Sequence, residues 1–548
     1  MAIGANPPGD ACATAHPLAT DACIEILAAG GNAFDAAIAA SAAIAVVEPT
    51  GSGIGGGGFW LLHRQSDGFE VFIDGRETAP GAASRDMYLD ASGAADPKRS
   101  RSGALAAAIP GEPAALDHLA REYGRLPLAR VLAPAIRYAR EGFAIDPKLA
   151  GAIGYFAAKV SPAAQAVLAP GGRPLQAGER LVQADLAQVL ERLASQGARG
   201  FYGGATAQAL VEGVRAAGGL WTAEDLLRYR VVERRPVETF FRDYRIVTAP
   251  PPSAGGVALA QIFQQLELVG WRNDGSVLSR HLVIEAMRRA YRDRATYLGD
   301  PDFTDIPLHR LLSRSHARTL AAGISRERAT PSAELAPAAP VPEGSHTSHL
   351  SVIDHEGNRV AATMSINLPF GSGYIAPGTG VFLNDEMDDF SASVGASNAY
   401  GLIGSVPNSI APHKRPLSSM SPTFVEGPRG VLALGTPGGS RIVTMVALGI
   451  LAWIEGGSAL QVAALPRYHH QYLPDVVEFE AAAFDAPTQA GLAALGHVLK
   501  PIGERGGNIQ PNTYGNMQVV AWSPRFNTLE AAGDPRAVGS GRVLVAKP

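Results

Sequence analysis

Thr347, Ser365 and Asn367 are the residues of this chain best suited to share a reaction. They offer a hydroxyl, a second hydroxyl and a carboxamide. A hydroxyl becomes a useful nucleophile only when a base takes its proton. No His–Asp pair is spaced near Thr347 in an obvious relay, although His346 and His349 are close in sequence. Thr and Ser are also common in strands. The plain alternative is therefore an edge hairpin that shows polar side chains to water.

Other candidates lie along the chain. Arg76 follows a strand-like run, where binding groups often sit, and its planar fork suits a carboxylate. Asp385, Glu386, Asp388 and Asp389 form an acidic cluster that could receive an ammonium group or be a solvated loop. Gly438 and Gly439 precede an apolar helical run, an arrangement that turns backbone N–H groups toward an anion. Ser418 and Ser419 read by themselves as turn serines. Gly51 to Gly58 contains a formal G-x-G-x-x-G, but it follows a helix and opens a strand. That is the wrong context for a dinucleotide fingerprint. Close backbone packing or a turn through positive φ is the better reading. His469 and His470 are adjacent, no H-E-x-x-H motif occurs, and we assign them a structural role and no metal.

The elements that must hold these groups begin with the hairpin. Its first arm, 348–354, and its second, 359–366, alternate in apolar character. Asp354-His355-Glu356-Gly357-Asn358 reads as a three-residue loop in which Gly357 takes the left-handed bulge position. Turn type fixes register. Asp354 then faces Asn358, which sets Thr347 opposite Ser365, with Asn367 two residues on and on the same face. The pattern also predicts helices 17–29 and 33–47, strands 59–63 and 69–73, and mostly helix over 110–340. The helices there include 113–123, 128–141, 184–196, 205–217 and 279–297, with Asp185 capping the third. Strands follow at 381–383, 430–434, 476–479, 517–521 and 529–532, and a helix runs to about Trp453. Residues 323–346, rich in Pro, Ala and Ser, read as a mobile tail.

Thr347-Ser-His-Leu-Ser-Val, Asn367-Leu-Pro-Phe-Gly, Arg76-Glu-Thr-Ala-Pro and Leu383-Asn-Asp-Glu-Met-Asp-Asp-Phe-Ser together closely resemble the γ-glutamyltransferase (γ-glutamyltranspeptidase) family. The resemblance runs from His16 to about Arg536. It implies an N-terminal-nucleophile hydrolase with an α/β (α+β) fold, a four-layer αββα sandwich around two central antiparallel sheets. The precursor would cut itself between His346 and Thr347. Residues 1–346 would then be a large subunit and 347–548 a small catalytic one, intertwined in one domain and sharing both sheets. The resemblance makes Thr347 the nucleophile, Ser365 its orienting partner, and Gly438 and Gly439 the oxyanion hole. Arg76, Ser418 and Ser419 would hold the substrate α-carboxylate. Glu386 and Asp389 would hold its α-amino group, with Asn367 assisting. Residues 391–412 resemble a lid loop with Tyr400 at its tip. Ser348 and Ser365 stand where many members have threonine. The hydroxyls are kept, so a change in rate is expected rather than in reaction.

The newly freed α-amine of Thr347 would serve as base, since its ordinary pKa is about 7.7 to 8.0. The expected substrates are γ-glutamyl amides such as glutathione, with water or an amino acid as acceptor and no cofactor. Two rivals remain: a glutaryl (cephalosporin) acylase of the same fold, and an unprocessed, non-catalytic scaffold. The bulk properties are those of a globular protein. Of 548 residues, 46% are hydrophobic and 18% charged, an ordinary globular balance. A net charge of −4 gives no basic footprint for nucleic acid. No apolar run is long enough for a membrane helix. Cys12 and Cys23 are the only cysteines. They could bridge, but they offer no metal spacing. Met1 to Asp10 does not read as a signal peptide. The resemblance points to a periplasmic or secreted protein, and the sequence as it stands to a cytoplasmic one.

Overall fold

The computed structural model describes residues 6–335, 346–391, 405–502 and 514–545. The hairpin forms as its loop chemistry dictates. Asp354 N–H donates to the Asn358 carbonyl, Gly357 N–H to the Asp354 carbonyl, and Gly357 has φ +91°. The Asp354 carboxylate also accepts from the N–H groups of Glu356 and Asn358. The arms, His346–Ile353 and Arg359–Asn367, pair antiparallel with Thr347 opposite Ser365.

This hairpin is the middle of a seven-stranded sheet. In spatial order the strands are Ser540–Val545, Gly9–Thr14, His346–Ile353, Arg359–Asn367, Gly57–Arg64, Phe69–Gly75 and Val232–Arg234. A six-stranded sheet lies against it, in the order Thr528–Gly533, Gln518–Ser523, Gly430–Gly435, Thr423–Gly427, Tyr244–Thr248 and Val237–Phe241. All neighbouring strands in both sheets are antiparallel.

Strand alternation sorts the two faces. Trp60, Leu62, Leu350, Val352, Val360, Ala362 and Met364 point to an outer helical layer that includes Pro17–Ala28 and Ala33–Val47. Phe59, Leu61, Phe72 and Ala361 point the other way, into a core shared with the second sheet and with helices Gly255–Leu268, Val277–Tyr297 and Ile442–Ile454. The result is the four-layer αββα sandwich. The sheets are also joined by charge: Arg245 on the second sheet reaches Glu70 on the first at 2.6 Å, and Arg359 on the first pairs with Glu426 on the second.

Helix Ala33–Val47 is buried along its whole length and starts on a capping box between Asn32 and Asp35. It ends at Glu48, before Pro49, and that end faces the hairpin.

Several expectations need correction. Residues 381–383 are not a strand, because only one bridge, between Ile375 and Phe382, forms there. Among the described residues, the apolar run has no partner strand. Gln183, not Asp185, is the N-cap of helix Ala184–Gln196; it makes no side-chain cap bond, and its Nε2 donates to the Val46 carbonyl. The stretch read as mostly helical contains three strands between Val232 and Thr248. Strands Gly9–Thr14 and Ser540–Val545 were not anticipated. Cys12 and Cys23 are bonded, tying the first of these strands to helix Pro17–Ala28. Among the described residues, no helix is long and apolar enough to cross a membrane.

Candidate active site

The glycine-rich segment allows the hairpin's end to be enclosed. Gly55 and Gly56 have no positive φ, so turn geometry is not their reason. A Cβ on Gly55 would sit 2.0 Å from the Phe382 carbonyl oxygen, and one on Gly56 2.1 Å from that of Ser365. Only glycine permits backbone to press so closely on the strand that carries Ser365.

Thr347 and Ser365 are both nearly buried, and their hydroxyl oxygens are 3.5 Å apart. Among the described residues, no carboxylate or histidine ring reaches Thr347 Oγ1 by a hydrogen bond. His349 faces the space between the sheets, with Thr363 Oγ1 2.9 Å from its Nδ1 and Ser351 Oγ 3.1 Å from its Nε2. Burial brings its pKa down to about 3, so the ring is neutral at working pH. Ser348 turns to the other face and donates to Glu48 at 2.6 Å. Ladder regularity breaks just past Ser365. Asn367 has φ +73°, and the register slips so that it lies opposite His346. Its N–H donates to Ser365 Oγ at 2.8 Å, and its Nδ2 to the Asp385 carbonyl at 3.0 Å. Its Oδ1 is buried and has no donor among the described residues.

The acidic cluster divides in two. Asp388 is turned away, accepting from Ser100 Oγ at 2.5 Å and Arg101 Nε at 3.1 Å. Asp385 props the backbone, accepting from Leu368 N–H at 3.0 Å. Glu386 and Asp389 converge on Arg76. Asp389 Oδ2 is 2.5 Å from Nη2 and Glu386 Oε2 is 2.7 Å from Nη1. Glu77 is more distant, at 3.4 Å. The Glu386 contact is a charge contact off the N–H direction, so neither of its oxygens has a directed hydrogen bond. Coulomb attraction at this range needs little alignment, so the pair holds as a charge contact. Burial by itself would lower the Arg76 pKa. The charges of Glu386, Glu77 and Asp389 outweigh that and raise it. Arg76 also donates to the carbonyls of Pro416 and Leu417, which fixes the segment leading to Ser418.

Thr347, Ser365, Asn367, Arg76, Asp389, Ser418, Ser419 and Gly439 line one small cleft. Glu386 joins them through Arg76. Gly438 is adjacent, with φ +143°, and a Cβ there would meet Met445 Cε at 2.4 Å. Gly439 has φ +58° and begins the turn into helix Ile442–Ile454. Tyr400 lies outside the described residues. Of the acidic cluster, Asp389 alone lines the cleft, with Glu386 held behind it on Arg76, while Asp385 and Asp388 are engaged elsewhere.

Sequence reasoning missed two residues on helix Val277–Tyr297. Tyr291 donates to the Ser440 carbonyl beside the paired glycines, and Arg294 Nη2 donates to Ser419 Oγ at 3.2 Å. The signal was present: a helix with five arginines that the hydrophobic core nonetheless encloses. His469 and His470 are buried near a short strand, Tyr468–His469, rather than on a helix. His469 Nδ1 is 2.9 Å from Thr444 Oγ1, and His470 Nε2 is 3.0 Å from Asp475. Two groups elsewhere bring metal-type ligands together: His281, Glu285 and His497, and His63, Glu70 and Glu426. In the first, Glu285 already receives Arg288 and Arg289; in the second, Glu70 and Glu426 receive Arg245, and Glu426 also receives Arg359. Guanidinium groups there oppose a further cation.

Comparison with known proteins covers nearly the whole chain. A family model described as gamma-glutamyltranspeptidase matches residues 19–544. A glutathione hydrolase proenzyme of Pseudomonas sp. (strain A14) is 43% identical over 490 residues, 88% of this chain and 85% of that protein. The glutathione hydrolase proenzyme of Escherichia coli (strain K12) is 39% identical over 534 residues, 96% of this chain and 90% of that one. Among solved structures, a cephalosporin acylase from Bacillus halodurans superposes with a TM-score of 0.84 at 28% identity, covering 99% of this chain and 97% of its own.

Proposed function

The chain belongs to the gamma-glutamyltranspeptidase family, and from that premise we propose that it is a glutathione hydrolase and γ-glutamyltransferase that works through a Thr347 acyl-enzyme. The observation that carries the reading is the grouping of Arg76 with Glu386 and Asp389 beside Thr347. A γ-glutamyl group ends in an α-carbon that bears both a carboxylate and an ammonium. Such a zwitterion can exchange the existing ion pairs for two complementary ones. Its carboxylate takes Arg76, Ser418 and Ser419; its ammonium takes Glu386 and Asp389. Asn367 Oδ1, which has no donor among the described residues, suits an N–H of the same ammonium.

In maturation, Thr347 Oγ1 attacks the His346 carbonyl carbon, the C–N bond breaks, and water hydrolyses the resulting ester. Residues 1–346 and 347–548 then remain together as a heterodimer. Each contributes strands to both sheets, so separation would require breaking interior ladders. In catalysis, the freed amine takes the Thr347 hydroxyl proton, directly or through water. The alkoxide adds to the γ-carbonyl, with Ser365 orienting Thr347. The N–H groups of Gly438 and Gly439 receive the oxyanion, where a lost donor typically costs about 3 kcal/mol of transition-state stabilisation. The proton passes to the departing amine. Water or an acceptor amine then resolves the ester.

The acylase likeness gives the second reading, cleavage of a glutaryl amide. A glutaryl group is a γ-glutamyl group without the ammonium, so it offers Glu386 and Asp389 no cation in exchange for Arg76. The purified protein decides the matter. We expect two bands on a denaturing gel, Thr347 at the N-terminus of the smaller, and turnover of γ-glutamyl-p-nitroanilide well above that of glutaryl-7-aminocephalosporanic acid. A persistent single band, or the reverse preference, overturns the proposal.

A further inference from the structure

Helix Val277–Tyr297 meets the cleft from below at two points. Tyr291 and Arg294 stand three residues apart and so lie on one side of the helix. Tyr291 ends on the Ser440 carbonyl, next to the paired glycines; Arg294 ends on Ser419 Oγ. One turn earlier, Arg288 donates to Ser332 Oγ at 2.8 Å and also pairs with Asp475. The helix is therefore pinned by charged groups along the side that supports the site, and Arg294 itself is 2% exposed.

The direction of the Arg294 bond matters most. A guanidinium only donates, so Ser419 Oγ is the acceptor. The serine's single hydroxyl proton is left to go elsewhere, and among the described residues Ser419 Oγ donates to none. Ser418 is arranged alike, since its Oγ accepts the Met420 N–H at 3.1 Å. Both serines thus have an oxygen lone pair engaged by a protein donor and an O–H available to the cleft they line. Behind Ser419 the donor is a full positive charge, which polarises the O–H toward an anion.

We propose that Arg294 is a positioning residue for donor recognition: it aims and polarises the Ser419 hydroxyl for the donor's α-carboxylate, and it does so without touching the donor. This rests on the reading of Ser419 as a carboxylate donor. Arg76 already divides its guanidinium among Glu386, Asp389 and two backbone carbonyls. Arg294 is a second buried guanidinium, and its Nη2 reaches the cleft through Ser419.

The test compares Arg294→Met, Arg294→Lys, Ser419→Ala and the Arg294→Met/Ser419→Ala double variant. Each is assayed with γ-glutamyl-p-nitroanilide and for competitive inhibition by L-glutamate. Arg294→Met is expected to raise KM and the glutamate inhibition constant about tenfold, the usual scale for a hydrogen bond to a charged group, with kcat within about threefold. The double variant should be no worse than the poorer single one, because both remove the same bond. Arg294→Lys should recover part of the loss. With 4-aminobutanoyl-p-nitroanilide, which lacks the α-carboxylate, the Arg294 variants should match wild type. Multiplicative losses in the double variant, or equal losses on both donors, overturn the proposal. If Arg294→Met does not mature, the lysine variant's glutamate inhibition constant carries the same test. If Ser419→Ala leaves KM unchanged, the carboxylate reading itself fails. If Ser419→Ala raises KM and Arg294→Met does not, only the role of Arg294 fails.

Discussion

Thr347 and Ser365 face each other on adjacent strands, with hydroxyl oxygens 3.5 Å apart, and Ser365 Oγ in turn accepts the Asn367 N–H at 2.8 Å. The strained residue, Asn367 with φ +73°, thus anchors the oxygen that faces Thr347. The contact at 3.5 Å is long for a hydroxyl pair. Hydrogen bonds of this kind often tighten only when the substrate is bound.

Removing the anchored hydroxyl should therefore be costly. Ser365→Ala is expected to slow both self-cleavage and donor turnover, kcat falling about a hundredfold. Ser365→Thr, which restores an oxygen at the same place, should stay within a few-fold of wild type. Gel densitometry of the two fragments over time, with kcat on γ-glutamyl-p-nitroanilide, reads both effects. An alanine variant that matures and turns over normally would remove Ser365 from the mechanism.

The glycine-rich segment predicts a contrast between near neighbours. A Cβ on Gly56 would strike the Ser365 carbonyl at 2.1 Å, and backbone cannot swing aside. A Cβ on Gly53 would find its nearest neighbour, Ile366 Cγ2, at 3.7 Å. Gly56→Ala should lower Tm by several degrees and slow maturation about tenfold or more. Gly53→Ala should be close to wild type in both. Equal behaviour of the two would mean that close backbone approach is not why the segment is glycine.

Asp389 should discriminate donors. Asp389→Asn keeps the shape and removes the charge that an ammonium would meet. We expect KM for γ-glutamyl-p-nitroanilide to rise about ten- to a hundredfold, while glutaryl-p-nitroanilide, which has no ammonium, loses little. The ratio of the two kcat/KM values is the measurement. A parallel fall on both donors would instead mean that the substitution disturbs Arg76, which Asp389 also contacts at 2.5 Å.

Local chemistry made the hairpin legible. Asp354 and Gly357 specify the loop, and the loop alone sets Thr347 against Ser365. The same holds for helix Ala33–Val47, where Asn32 and Pro49 mark the ends. What could not be read depends on partners distant in sequence. The bulge at Asn367 is held by Asp385, 18 residues on. Ser419 and Arg294 meet across 125 positions. Strand Gly9–Thr14 is a short, Ala-containing run without alternation, and it forms because Ser540–Val545 and the hairpin flank it. Residues 381–383 show the reverse error, an apolar run with no strand beside it. Among the four clustered acids, sequence position alone could not say which two would turn to Arg76.

The seam between the two sheets contains an ion pair whose contribution to stability depends on acid pH. Glu70, on the first sheet, meets Arg245 of the second at 2.6 Å and His63 of its own sheet at 3.0 Å. Burial alone would raise the Glu70 pKa. Hydrogen bonds from His63 and Arg245, with the Arg245 charge, bring it instead to about 2, from an ordinary value of 4.5. The folded value is the lower one, so the unfolded chain binds the extra proton first as pH falls. The stabilisation is complete above pH 4.5 and is lost as pH drops from there through about 2. Glu70→Gln removes that dependence. The Tm gap between wild type and Glu70→Gln should be constant from neutral pH to about pH 5, roughly 2–4 °C in favour of wild type, and should close toward pH 2. Because the partners lie on different sheets, the loss should accompany loosening of the whole stack, read as tryptophan fluorescence from buried Trp60 and Trp522. A gap that stays constant down to pH 2 would mean that the carboxylate and guanidinium are already separated by solvent, and that the sheets are held together by their apolar faces alone.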